Sequence, residues 1–319
     1  MASVLKEDYF QNEASAFERL EAIVWPNGPI CPHCKNNGDK GHIGCLDGVK
    51  DKKGRVRLGL KKCYACRGQF TVRKGTVFED SPIPLTLWFQ GAYLMCSSKK
   101  GVSANQLHRT LGVALQTAWF MGHRLREAMR TGGLAPMGGA GSIIEIDETF
   151  IGRKEGVEKA KAGYGHKNAV LSLVERGGSV RSFHVDSTRK EDVLPIIRAN
   201  IARETHVMTD EANQYAQLGE DFVKHDSVDH HREEYAYRDR LTGTLIGTNT
   251  VEGFYSIFKR GMKGVYQHCS EKHLHRYVAE FDFRYSNRVA RGVNDGARTE
   301  RALRGIFGKR LTYREPLGK

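Results

Sequence analysis

Three acidic residues in this 319-residue chain sit where metal-dependent attack on phosphodiesters would need them. Asp147 closes the apolar run Ile143-Ile144-Glu145-Ile146-Asp147, and Asp210 closes His206-Val207-Met208-Thr209-Asp210. Glu252 opens a helical pattern that runs from Asn249 to Arg260. Acids at strand ends and on a facing helix can hold divalent magnesium or manganese. On that helix Glu252 and Lys259 lie two turns apart and share a face. The lysine then stands about 10 Å along the axis, within reach of a DNA phosphate. Asn249, one turn before Glu252, is either a further ligand or a group that supports one. Each acid also has a structural reading. Asp210 suits the cap of a helix over Glu211 to Leu218, Glu252 suits any helix start, and Asp147 suits a solvated strand end. Glu145, Glu148 and Glu211 show that acids are plentiful nearby.

A second constellation lies in the N-terminal third. Cys31-Pro32-His33-Cys34 and Cys63-Tyr64-Ala65-Cys66 are paired C-x-x-C knuckles. Two residues between thiolates let both sulfurs face one ion, and two such turns close a tetrahedral shell suited to structural Zn2+. The intervening Gly48-Val49-Lys50-Asp51-Lys52-Lys53-Gly54 reads as a hairpin turn, which makes the layout that of a zinc ribbon. Neither knuckle opens a helix in a βαβ unit, as a redox dithiol would. Cys45 and His33 are bystanders able in principle to replace a ligand; Cys96 and Cys269 read as ordinary thiols. With four thiolates the shell has no catalytic vacancy. The ribbon is expected to present Lys61, Lys62, Arg67, Arg73 and Lys74 to phosphates.

The elements that must position these residues follow from periodicity. Leu85, Trp88, Phe89, Ala92, Tyr93 and Cys96 fall at helical spacing. Ser103 caps a second helix carrying Leu107 and Leu111, Gly112-Val113 turns the chain, and a third helix carries Ala118, Met121, Leu125 and Met129. A short helix, a glycine turn and a longer helix make a helix-turn-helix-like segment, with His123, Arg124 and Arg126 as basic groups. Strands are predicted over Ile143–Ile151, Ala169–Val174, Val180–Val185 and Thr205–Met208, with another over Phe222–Val228. A helix over Lys190 to Ala202 precedes the fourth strand, and two long helices start near Thr250 and Ser270. Periodicity alone gives a mixed α/β domain. The order of three meandering strands, a helix, a strand and then helices is that of a ribonuclease-H-like domain, in which the first and fourth strands are neighbours. The expected organisation is therefore a zinc ribbon over 1–81, a helical DNA-binding segment over 82–131 and a Gly-rich linker over 132–141. An α/β, ribonuclease-H-like catalytic domain over 142–290 and a basic C-terminal tail over 291–319 complete it.

The bulk numbers agree with a polyanion partner. Lys and Arg total 50 against 37 Asp and Glu, a formal charge of +13 and a pI near 9.4. An excess of that size favours DNA or RNA. No run approaches the roughly 18 apolar residues of a membrane span, and Met1 to Asp8 has no apolar signal core, so a cytoplasmic protein is expected. Seven cysteines, an odd number, argue against a disulfide scaffold.

Many separate motifs, in order, resemble those of bacterial insertion-sequence transposases of the ISXO-two-like group, whose core is of the DDE type. They include Trp25-Pro26 before the first knuckle, Gly68-Gln69-Phe70-Thr71-Val72-Arg73-Lys74-Gly75-Thr76, and Arg124-Leu125-Arg126-Glu127-Ala128-Met129. They continue through Glu145-Ile146-Asp147-Glu148-Thr149-Phe150, Thr209-Asp210-Glu211-Ala212, Asn249-Thr250-Val251-Glu252-Gly253-Phe254 and Phe281-Asp282-Phe283-Arg284-Tyr285. The resemblance implies that Asp147, Asp210 and Glu252 bind the catalytic Mg2+ or Mn2+, with Lys259 as the basic residue that follows. In this group Asn249 is sometimes counted as third ligand; Glu252 is preferred because a carboxylate neutralises metal charge. Tyr255, where tryptophan is usual, and Ser286 depart from the pattern without removing a ligand. The resemblance further implies binding to terminal inverted repeats, 3′-end cleavage, strand transfer into target DNA, a homodimer or larger complex on DNA, and association with the nucleoid. Two alternatives remain open: a non-catalytic zinc-ribbon DNA-binding regulator derived from a transposase, and a nuclease that cuts without joining. Tyr215, Tyr266 and Ser256 lack the Arg-His-Arg surroundings of a covalent recombinase. His225, His230 and His231 are candidates for proton transfer or phosphate contact, with surface histidines the simpler reading.

Overall fold

Asn12 caps the first helix, α1 (Glu13–Val24), its side-chain oxygen accepting from the amides of Ala14 and Ser15. The computed structural model describes residues 4–229 and 236–312. His230, His231 and the end of the C-terminal segment lie outside the described residues. After α1 come three short strands, β1 (Ile43–Cys45), β2 (Lys61–Cys63) and β3 (Gln69–Phe70), joined as an antiparallel sheet in that order. Three helices follow: α2 (Leu85–Ser97), α3 (Ala104–Leu111) and α4 (Leu115–Met129). Ser103 caps α3 as the sequence predicts, and Gly112 ends it at φ +65°, in the left-handed region that glycine enters without cost.

A second compact unit starts at Thr131 and runs to Val293, with residues 99–101 attached. It contains β4 (Ile143–Ile151), β5 (Asn168–Glu175), β6 (Val180–Val185), α5 (Lys190–Asn200), β7 (His206–Asp210), the one-turn α6 (Leu218–Asp221) and β8 (Lys224–Val228). A small hairpin, β9 (Ala236–Arg238) and β10 (Leu245–Gly247), leads into α7 (Asn249–Gly261) and α8 (Leu274–Ser286). Five strands form one sheet in the order β6-β5-β4-β7-β8. The first three are antiparallel, whereas β4, β7 and β8 run parallel, so β4 and β7 are neighbours as the strand order predicts.

Strand alternation divides the apolar residues between two cores. Ile144, Ile146, Leu171 and Leu173 pack with Val193, Leu194 and Ile197 of α5 on one face. Ile151, Val170, Val174 and Val180 pack with Val251, Phe254, Phe258, Val278 and Phe281 of α7 and α8 on the other.

Three segments differ from their sequence reading. The Gly-rich linker is docked at its end: Met137 exchanges backbone hydrogen bonds with Asn200 and Ala202, and Gly138 lies where a Cβ would meet the Thr205 hydroxyl at 2.3 Å. The expected helix over Glu211 to Leu218 is instead a 3-10 turn at Asn213–Tyr215 followed by α6, which lets Tyr215 and Leu218 both enter the α5-side core. The basic tail contains α9 (Asp295–Arg304), which rejoins the first unit. There Ala302, Leu303 and Ile306 are buried, and Arg298 donates to the Cys96 carbonyl. The many arginines of that stretch hide an apolar stripe.

Candidate metal centres

The four predicted thiols are brought together. The ligand atoms of Cys31, Cys34, Cys63 and Cys66 all lie within 4.8 Å of one another, and the Cys31–Cys66 and Cys34–Cys63 sulfurs are 3.7 Å apart. Four sulfurs at about 2.3 Å from a central zinc would stand about 3.8 Å from each other, so the cluster has the dimensions of a tetrahedral shell. Asn36, fully buried, was not singled out from sequence. Its amide nitrogen donates to the Gly41 carbonyl and the Cys63 sulfur, while its oxygen accepts from Gly38 and Lys40. Together with the Cys66 amide it draws the Cys63 thiol down to about 6, towards the thiolate a metal requires. Cys45 stands apart, beside Lys61, and His33 packs on Phe70.

The basic residues expected to face DNA separate into two groups. Lys61 is buried in an ion pair with Glu21 at 2.9 Å. The Arg73 guanidinium is spent on the carbonyls of Phe78, Ser81 and Ile83, and Lys74 pairs with Glu79. On α4, His123, Arg124 and Arg126 are all buried, Arg124 donating to the carbonyls of Glu79 and Leu311. Lys61, His123, Arg124 and Arg126 are therefore turned inward and Arg73 is held by main-chain carbonyls, while Lys74, paired with Glu79, keeps its side chain 42% exposed. Lys62, lying 5.2 Å over the Tyr64 ring, and the exposed Arg67 remain on the surface. So do Ala114, Leu115 and Gln116 at the start of α4.

The three acids occupy one side of the second unit. Alternation from Ile151 places Asp147 on the α7 face of β4. The β4–β7 ladder ends at Glu145 opposite Met208, so Asp147 and Asp210 each follow the paired stretch by two residues on neighbouring parallel strands. Glu252 lies in the first turn of α7 and accepts from the Thr248 hydroxyl at 3.2 Å. The field joins them. Burial, first, and then the charges of Glu148, Asp210 and Glu252 push the Asp147 carboxyl up to about 8, against one hydrogen bond from the Glu148 amide. Among the described residues the acids are not gathered as tightly as the thiols, which alone meet the 4.8 Å mutual distance. Two partly buried aspartates and the exposed Glu252 offer hard oxygen donors of the kind that accept divalent magnesium or manganese.

Neighbouring groups are sorted by their partners. Asp210 also caps a local turn, accepting from the Ala212 amide. Glu148 faces the other way, taking a hydrogen bond from Gln214, and burial and Asp210 raise it to about 7. Asn249 is exposed one turn from Glu252, and Lys259 lies 5.9 Å over the Tyr255 ring. His225 is hydrogen bonded to the Thr209 hydroxyl on the sheet, and burial lowers its pKa. Tyr215 is buried and the Tyr266 hydroxyl donates to Glu280, so neither presents a free nucleophile.

Glu145, read in the sequence as one nearby acid among several, and Tyr255, noted there only as a departure from the pattern, hold α7 to β4. The carboxylate of Glu145 accepts from the amides of Thr250 and Val251, from the Thr250 hydroxyl and from Arg176. The Tyr255 hydroxyl donates to the Asp147 carbonyl at 2.5 Å, with the Val170 carbonyl 3.1 Å away. In sequence Glu145 was one acid among several and its partners lie 105 residues on, so no local pattern marks it.

Comparison with known proteins agrees with this division. Residues 138–286 match the ISXO2-like transposase domain, and residues 11–69 match the transposase zinc-ribbon domain. A relative from Halobacterium salinarum, described as an uncharacterized protein in transposable element ISH50, is 25% identical over 293 residues, covering 86% of this chain and 91% of that protein.

Proposed function

Since this chain belongs to the ISXO2-like transposases of insertion sequences, we propose that it cuts the 3′ ends of its element and joins them to target DNA. The second unit, with strand order β6-β5-β4-β7-β8 and β4 parallel to β7, acts as a ribonuclease-H-like catalytic domain. Asp147, Asp210 and Glu252 would hold the divalent ions, and the observation that carries this is that β4 and β7, which bear the two aspartates, are parallel neighbours, with α7, which bears Glu252, fastened to β4. Magnesium or manganese bound there would supply the positive charge that stabilises the phosphorane-like transition state and favours deprotonation of water or of a 3′-hydroxyl. The residues do the rest. Asp147, partly buried, would hold the ion through its ionised carboxylate. Asp210 comes from the adjacent strand and Glu252 from the helix, so the three donors approach from two directions. Glu252 is the third ligand, with Asn249 beside it. Lys259 engages phosphate and steadies the DNA strand.

The first unit recognises the terminal inverted repeats. Its ribbon, built around structural zinc, offers Lys62 and Arg67, and α4 offers its N-terminal residues, the part of such a helix that meets base edges. Cleaving two ends in concert calls for a dimer or a larger complex on DNA. The place of work is the cytoplasm, on the nucleoid; among the described residues no helix is long and apolar enough to cross a membrane.

The test is cleavage of a plasmid carrying the cognate ends, in magnesium. The wild type is expected to yield cut ends and covalently joined products, and Asp147→Asn to bind ends without cutting them. Cleavage by Asp147→Asn defeats the site assignment. End binding by the wild type without any cleavage favours the regulator reading, and cleavage without joining favours a nuclease.

A further inference from the structure

We propose that Glu145 is a positioning residue that sets where Glu252 stands relative to Asp147, and with it the affinity of the acidic centre for divalent metal. The inference rests on the reading of those acids given above. Glu145 is 0% exposed, on the same face of β4 as Asp147 and two residues before it. A buried carboxylate without partners is strongly disfavoured, so its four donors define its purpose. Oε2 accepts from the amides of Thr250 at 2.6 Å and Val251 at 2.9 Å. Oε1 accepts from the Thr250 hydroxyl at 2.8 Å and from Arg176 Nε at 2.6 Å.

The two amides belong to the first turn of α7, the turn that carries Glu252. Thr248, at the cap position, supplies no side-chain cap, so the strand caps the helix from outside. Arg176 extends the clamp, donating to the carbonyls of Leu245 and Gly247 in β10, the segment that feeds α7. The Tyr255 hydroxyl, one turn beyond Glu252, touches the Asp147 carbonyl and gives a second point of attachment. Two attachments on the same helix, before and after Glu252, fix its height and its rotation against β4. A glutamine at 145 would keep the shape but replace one accepting oxygen with an NH2 donor, set against either the Thr250 and Val251 amides or Arg176.

Manganese binding to the full-length, zinc-loaded protein, followed by electron paramagnetic resonance, tests this without relying on turnover. Wild type, Asp147→Asn, Glu145→Gln and Thr250→Val are compared, with thermal melting and end binding in parallel. Glu145→Gln is expected to weaken manganese about tenfold while end binding stays within twofold of wild type. Thr250→Val, which loses one donor and keeps both amides, is expected to weaken it about twofold. Wild-type affinity in Glu145→Gln, alongside lost binding in Asp147→Asn, overturns the positioning role and leaves the acid assignment standing. Manganese binding that ignores Asp147→Asn overturns both. If Glu145→Gln does not fold, Thr250→Val decides, and unchanged affinity there overturns the proposal.

Discussion

As a proposed metal ligand Asp147 would carry two opposed demands: it would have to be ionised to hold a metal, yet its surroundings favour the proton. Its carboxyl is raised from 3.8 to about 8, so the folded chain holds that proton more tightly than the unfolded chain does. The stability it contributes is full below about pH 4 and is lost as pH rises through about 8. Buried Asp282, raised to about 7 between α8 and Ser182, acts in the same direction. In metal-free protein the melting temperature is therefore expected to fall between pH 5 and 8.5. Asp147→Asn should flatten part of that fall, raising the melting temperature at pH 8 by a few degrees, on the order of 1 kcal/mol. Melting curves across pH check this, and a variant that melts lower than wild type at pH 8 contradicts it. In sequence Asp210 and Glu252 stand out because one ends and the other opens a patterned element, whereas Asp147, read there as closing an apolar run, lies in the middle of β4. Glu145, Arg73 and Arg124 do not stand out, because a charge reads as surface until its distant partner is known.

At the scale of elements, α3, its glycine turn and α4 were written in the spacing of Leu107, Leu111, Ala118, Met121 and Leu125 and in the cap at Ser103. Which face of α4 looks outward was not. Burial of His123, Arg124 and Arg126 leaves the helix start, where Leu115 is 46% exposed, as the part of α4 open to the proposed DNA contact. Gln116→Ala is expected to reduce discrimination of cognate ends over random DNA several-fold, about 1 kcal/mol, with unchanged melting. Arg124→Ala should instead lower stability by about 2 kcal/mol, because the Glu79 and Leu311 carbonyls lose their donor. Binding and melting measured on both variants separate the two roles; a reversed pattern places the contact at the wrong end of the helix. The β9–β10 hairpin escaped the sequence because its strands are three residues each, too short to show a period.

At the scale of the molecule, the first unit is discontinuous in sequence: among the described residues it comprises 4–98, 102–130 and 294–312, and the second unit falls between them along the chain. The return of the chain to the first unit was masked in the sequence by the arginines of α9. Truncation after Val293 removes buried Ala302, Leu303 and Ile306 and exposes the surfaces they cover. It is expected to cost the first unit several kcal/mol and its end binding, while the second unit keeps its fold. Far-UV circular dichroism and limited proteolysis read this, and retained end binding contradicts it. The central claim, that Asp147, Asp210 and Glu252 share one metal site, is met most directly by iron(II)-mediated hydroxyl-radical cleavage of the polypeptide. Iron placed in the divalent site is expected to cut the backbone beside all three residues, with magnesium suppressing every cut. Cuts confined to one acid, or clustered elsewhere in the second unit, would contradict the account.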